Sequence, residues 1–190
     1  MSWLPDYQRA AAQSTDIAHY LPILFGYAAR YPGVRIVELG TDIGESTTAL
    51  LAAAQVAEGH VWSVDHNPRI EFARVHDAHS GMGRWTWICD DTRAAAAKVP
   101  GRIDVLFVDA SHLYDETCAE IEVYLPKVVP GGVALFHDTD KPGTDDKVRE
   151  ALDDTLQQWN LTWHEIPGRC GLGVVHVDRA LAVSRLYSAA

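Results

Sequence analysis

Five short runs rich in Val, Ile, Leu and Trp alternate with stretches of helical spacing, and this alternation constrains the fold more than any other feature. The runs are Val34–Leu39, His60–Asp65, Trp85–Cys89, Ile103–Asp109 and Val133–His137, and most end on a polar or acidic residue. Between them, Ser46–Val56 is rich in Ala and Leu, and Cys118, Ile121 and Leu125 share a helical face. Val148, Leu152, Leu156 and Trp159 share another. Two further strand-like runs, Leu161–Ile166 and Gly171–Val177, are separated by too few residues for a crossover helix, so they pair antiparallel. The expected fold is α/β, a doubly wound, mostly parallel, Rossmann-like seven-stranded sheet with an antiparallel C-terminal edge hairpin. At 190 residues the chain reads as one domain, with 1–31 a helical cover and 34–177 the core. Trp3 and Tyr7 in that cover are available to line a substrate pocket.

Charge narrows the partners. Sixteen basic against 26 acidic residues give a net charge of -10, which repels phosphate backbones and anionic lipid, so neither nucleic acid nor a membrane is expected as a partner. No apolar stretch approaches the ~20 residues of a membrane span. The start lacks a secretory layout, and three scattered cysteines form no CxxC pair. A cytoplasmic protein without disulfides is expected, acting on a small molecule; a homodimer is left open.

In a doubly wound sheet ligands bind beyond the carboxyl ends of the strands. The first such end reads Glu38-Leu39-Gly40-Thr41-Asp42-Ile43-Gly44-Glu45-Ser46. Gly40 and Gly44 permit a tight turn and close ligand approach, and the following helix offers free N–H groups. Glu38, Asp42 and Glu45 make the loop too acidic for a pyrophosphate, and it lacks the third glycine of GxGxxG. Asp65, followed by His66, can accept both hydroxyls of a ribose, or Asp65 or Asn67 can cap a helix after Pro68. Asp90 or Asp91, ahead of Thr92, can accept an adenine amino group or serve as an N-cap.

Together, the Gly turn after Glu38, the acid at Asp65, the Asp90-Asp91 pair and Pro130-Gly131-Gly132 before the fifth run resemble a class I S-adenosylmethionine (SAM)-dependent methyltransferase. ELGTDIGEST, VDASHLYDET and PGGVALFHDTD are similar to the family 24 type and, more distantly, to catechol-type and macrolide-sugar O-methyltransferases. The resemblance implies that Gly40, Thr41, Asp42, Gly44 and Ser46 cradle the methionine part of SAM, with Glu38 and Asp109 alongside. It places Asp65 and His66 at the ribose, and Asp90, Asp91 and Thr92 at the adenine. The acidic loop then suits a sulfonium and an ammonium group.

The same resemblance implies a site for Mg²⁺ or Mn²⁺ built from Asp109, His137 and Asp138, whose charge would lower the pKa of a substrate hydroxyl. His112 would take the proton, with Asp109 and His137 beside it in the catalytic group. The expected activity is metal-assisted O-methylation of a small hydroxylated molecule. The alternatives are a metal-independent transferase with His112 as sole base, a nicotinamide-dependent oxidoreductase, and a SAM-binding module without turnover.

Overall fold

A computed structural model describes residues 3–67, 75, 81, 83–141 and 147–181. The chain opens with α1 (Leu4–Ala11), a 3-10 turn at Ala18–Tyr20 and α2 (Leu21–Ala28). Then follow β1 (Arg35–Leu39), α3 (Glu45–Val56), β2 (His60–Val64), β3 (Trp85–Ile88) and a 3-10 turn at Ala94–Ala97. β4 (Ile103–Val108), α4 (Tyr114–Tyr124), a 3-10 turn at Leu125–Lys127, β5 (Val128–Asp140), α5 (Val148–Thr155), a 3-10 turn at Leu156–Trp159, β6 (His164–Ile166) and β7 (Cys170–His176) complete the described elements. The helix expected after Pro68, together with His76 and His79, lies outside the described residues, as do 142–146 of the loop expected after His137. No described helix is long and apolar enough to cross a membrane.

The strands form one seven-stranded sheet in the order β3-β2-β1-β4-β5-β7-β6. β1 to β5 run parallel, whereas β7 pairs antiparallel with both β5 and β6. This is the expected architecture, with the order reversing between β1 and β4. Register aligns the strand tips: Leu39 sits opposite both Val64 and Val108, Val64 opposite Ile88, and Val108 opposite Phe136. The residues that follow these tips therefore fall along one edge of the sheet.

Strand alternation sends successive side chains to opposite faces. Ile36, Val105, Phe107 and Leu135 join α1, α2 and α3 in one core, while Val37, Leu39, Leu106 and Phe136 join α4 and α5 in the other. Both faces are buried, as apolar parallel strands require. Pro22 stands in the first turn of α2, where its missing N–H costs nothing, so it starts the helix and does not interrupt it. Trp3 departs from expectation. It is 1% exposed and packs edge-on against Trp85 with centroids 5.8 Å apart, so it is a core residue. Its large apolar ring wins more from burial than from a place in a pocket.

β5 also differs, running thirteen residues where five were expected. Pro130, Gly131 and Gly132 were expected just ahead of the strand, yet they lie within it, and Ile103 pairs with Val128 across the bulge they create. At the far end the ladder shifts between His137 and Asp140, and Asp138 takes a φ of 61°. A bulge re-aims a side chain, and here it turns Asp138 to the tips of β4 and β5.

Candidate active site

Gly40 fixes how closely β1 and β4 approach beyond their tips. Its φ is 85°, and a Cβ there would lie 1.9 Å from the Asp109 carbonyl oxygen. Gly44, at φ 89°, turns the chain into α3. The Gly40–Gly44 bend thus brings the amino end of α3 beside the β4 tip.

The carboxylates at the ends of β1, β2 and β3 are bonded within the fold. Glu38 shares a face with Ile36 and meets the first turn of α3. It is fully buried and accepts from Ser46 Oγ (2.7 Å), Thr47 Oγ1 (2.9 Å) and Ser63 Oγ (2.5 Å). Burial pushes its pKa up to about 7 despite these three donors. Glu38 and Ser46 therefore bond to each other beneath the loop. Asp65 Oδ2 accepts from Thr41 N (2.8 Å), Thr41 Oγ1 (3.0 Å) and Asp42 N (3.2 Å), and Oδ1 accepts from Asn67 N (2.8 Å). Burial opposes its charge, but these donors prevail and hold its pKa below the usual range. Asp65 is the strut that shapes the glycine loop, with His66 exposed next to it.

Beyond β3, Asp91 Oδ1 accepts from Arg93 N (3.0 Å) and Ala94 N (3.1 Å), the capping arrangement, while Asp90 Oδ2 pairs with Lys98 at 2.6 Å. Thr92 Oγ1 donates to Glu120 at 2.7 Å. Glu120 was not singled out from sequence, where it reads as one more acid on a helix. Burial raises its pKa to about 7.

The tips of β4 and β5 are organised differently. Asp109 Oδ1 lies 3.1 Å from His112 Nε2 and 3.3 Å from His137 Nδ1. Asp138 Oδ2 lies 3.2 Å from His112 Nε2 and 2.9 Å from Lys141 Nζ, and Asp138 Oδ1 is 3.4 Å from His137 Nδ1. All four sequence-predicted residues converge here. His112 takes a φ of 53°, an uncommon conformation for histidine that the Lys147 N to His112 O bond (2.8 Å) helps to fix. Burial opposes ionisation of Asp109, yet the two imidazoles hold its pKa well below the usual carboxylate range. Burial lowers the pKa of His137, but the neighbouring carboxylates outweigh it and the net shift is upward.

Two buried atoms in this cluster, His137 Nε2 and Asp138 Oδ1, have no hydrogen-bond partner. Polar atoms left in this way are costly. Asp109, His137 and Asp138 each bring a ligand atom within 4.8 Å of the others. Two carboxylates and an imidazole suit a hard divalent cation with open positions. The turn 12–20 covers this end of the crevice: Tyr20 lies edge-on to His137 with centroids 5.6 Å apart. α1 and α2 themselves pack on α3.

The model of a methyltransferase-domain family, the family 24 type, matches residues 37–139. The chain belongs to this methyltransferase family. The match takes in the glycine bend, Asp65, both acids after β3 and the whole β4–β5 cluster. That membership replaces the oxidoreductase alternative. A protein of Sinorhizobium fredii (strain NBRC 101917 / NGR234), the uncharacterized protein y4gI, is 31% identical over 121 residues; the aligned part covers 56% of this chain and 13% of that protein. Among solved structures, the SAH-bound Podospora anserina methyltransferase PaMTH1 is 16% identical, with 92% of this chain and 87% of that one covered at a TM-score of 0.68. Cofactor-bound Rv0187 from MTB is 21% identical, covering 93% and 90% at 0.70. The TDP-rhamnose 3'-O-methyltransferase CalS11 is 19% identical, covering 83% and 77% at 0.62. With these three the methyltransferase shares its fold.

Proposed function

We propose that this methyltransferase moves the methyl group of SAM to a hydroxyl of a small molecule, assisted by Mg²⁺ or Mn²⁺. The observation that carries the proposal is the β4–β5 cluster. Three ligand atoms converge within 4.8 Å beside His112, two buried polar atoms lack partners, and the glycine bend is adjacent. Asp109 and Asp138 both face His137 Nδ1, at 3.3 and 3.4 Å, so positive charge is favoured at this point of the crevice.

SAM would supply the methyl group on a sulfonium that leaves as a neutral thioether. The crevice suits it chemically: Asp42 and Glu45 line a bend whose main-chain N–H groups Asp65 partly engages. Asp65 Oδ1 accepts one internal bond and retains capacity for a ribose hydroxyl. Asp91, or Asp90 beside it, would meet the adenine amino group, with Thr92 next to them.

A divalent cation held by Asp109, His137 and Asp138 would lower the pKa of the acceptor hydroxyl. Asp109 and Asp138 flank His112 Nε2, so its hydrogen belongs there and Nδ1 is the basic atom of the neutral ring. His112 then takes the acceptor's proton, and the fixed tips of β4 and β5 hold the oxygen in line with the methyl group. Lys141 on Asp138 favours a second reading, in which the ammonium replaces the metal and His112 works alone.

The test is transfer of labelled methyl from SAM to phenols, catechols and nucleotide sugars, with and without EDTA. EDTA-sensitive turnover restored by Mg²⁺ supports the metal. Turnover indifferent to chelation moves the account to His112 alone, and absence of SAM binding in calorimetry overturns both readings.

A further inference from the structure

Asp138 belongs to a second group of ligand atoms that the proposed reaction does not use. Asp16, in the turn between α1 and α2, and Cys170, the first residue of β7, bring a carboxylate oxygen and a thiol sulfur within 4.8 Å of an Asp138 oxygen and of each other. The three come from distant parts of the chain, so only the tertiary fold assembles them. Cys170 is in no disulfide. It is buried, and its sulfur is within 4.8 Å of an Asp138 carboxylate oxygen.

A second observation points to a ligand. Asp138 is 3% exposed, yet its Oδ1 lacks a hydrogen-bond partner. A carboxylate has two oxygens and can serve a cation on each side.

We infer that Asp16, Asp138 and Cys170 form a second cation subsite, thiolate-bearing, that takes a borderline-soft divalent ion of the Zn²⁺ class. Sulfur selects such ions over Mg²⁺, and three protein ligands leave a fourth position for water. The thiol proton leaves to solvent as the ion binds. The ion ties the turn after α1 to β5 and β7, fastening the cover of the crevice. This inference rests on the proposed function only through the shared Asp138, because neither Asp16 nor Cys170 belongs to the oxygen-rich site.

The test titrates the EDTA-treated full chain with Co²⁺ and follows thiolate-to-cobalt charge-transfer absorption. The wild type should develop the band. Cys170→Ser should abolish it, and Asp16→Asn should weaken Co²⁺ binding roughly tenfold or more. Both variants should keep SAM and Mn²⁺ binding. Asp109→Asn should keep the band while losing Mn²⁺ binding, which separates failure of this subsite from failure of the oxygen-rich one. A Cys89→Ala/Cys118→Ala variant should keep the band, which tests the assignment even if Cys170→Ser fails to fold. No band in the wild type, or a band lost with Cys89 and Cys118, overturns the inference.

Discussion

The two halves of the crevice use carboxylates in opposite ways. At the ends of β1, β2 and β3, Glu38, Asp65 and Asp91 each accept two or more hydrogen bonds from hydroxyls or main-chain N–H groups. At the ends of β4 and β5, Asp109 and Asp138 crowd two imidazoles, and His137 Nε2 and Asp138 Oδ1 are buried without hydrogen-bond partners. Those first three carboxylates are engaged within the protein. The second half keeps unused polar atoms, where the proposed function places a cation and the acceptor. Under the proposed function this division suits an enzyme: the half that shapes the glycine loop is bonded internally, while the β4–β5 half keeps coordination capacity.

Substitutions in the second half should break chemistry and spare cofactor binding. His112→Ala or Asp109→Asn should lower turnover by about 10²- to 10⁴-fold, as loss of a positioned acid–base group does. SAM affinity measured by calorimetry should stay within a fewfold of wild type. Equal loss of both would erase the contrast.

Gly40→Ala attacks the seam between the halves. The methyl group would meet the Asp109 carbonyl at 1.9 Å, in a backbone conformation that alanine disfavours. Denaturant melts should show a loss of about 3 kcal/mol, the range expected of combined backbone strain and steric conflict.

Glu38 sharpens the picture of the first half through pH. Its folded pKa of about 7 lies above its unfolded value, so the native state binds the proton more tightly. That stability is fully present below the unfolded pKa and is lost as pH rises through about 7. The loss amounts to roughly 3 kcal/mol at 1.36 kcal/mol per unit. Glu120, also near 7, adds in the same direction. Melts of Glu38→Gln between pH 5 and 8 should show a flatter profile than wild type.

The smallest effect belongs to Asp65→Asn. It keeps the size of the side chain but weakens the charge-assisted bonds to Thr41 and Asp42. SAM affinity should fall about tenfold, the equivalent of one such bond. Mn²⁺ binding should be unchanged.

Much of this architecture was readable in the sequence because parallel strands buried on both faces leave unbroken apolar runs. The acids at their ends mark where burial stops. The hairpin was readable because only Pro167–Arg169 separate β6 from β7, too few for a crossover helix. What escaped depends on partners distant in the chain. β5 passes through Pro130-Gly131-Gly132 and on to Asp140 because β4 and β7 pair with it, and no local propensity says so. Asp16 and Cys170 lie 154 positions apart, and neither sits in a motif. Glu120 reads as a surface acid until α4 is docked. Asp91 could be a cap or a ligand from sequence, and Oδ1 accepts from Arg93 and Ala94 in the manner of a cap, while among the described residues no such bond is made by Oδ2.

Calorimetric titration of the EDTA-treated protein with Mn²⁺, wild type beside Asp109→Asn, probes the second half most directly. The account predicts saturable Mn²⁺ binding that disappears in Asp109→Asn while that variant still binds SAM. Mn²⁺ binding of equal strength in both proteins, or none in either, would contradict it.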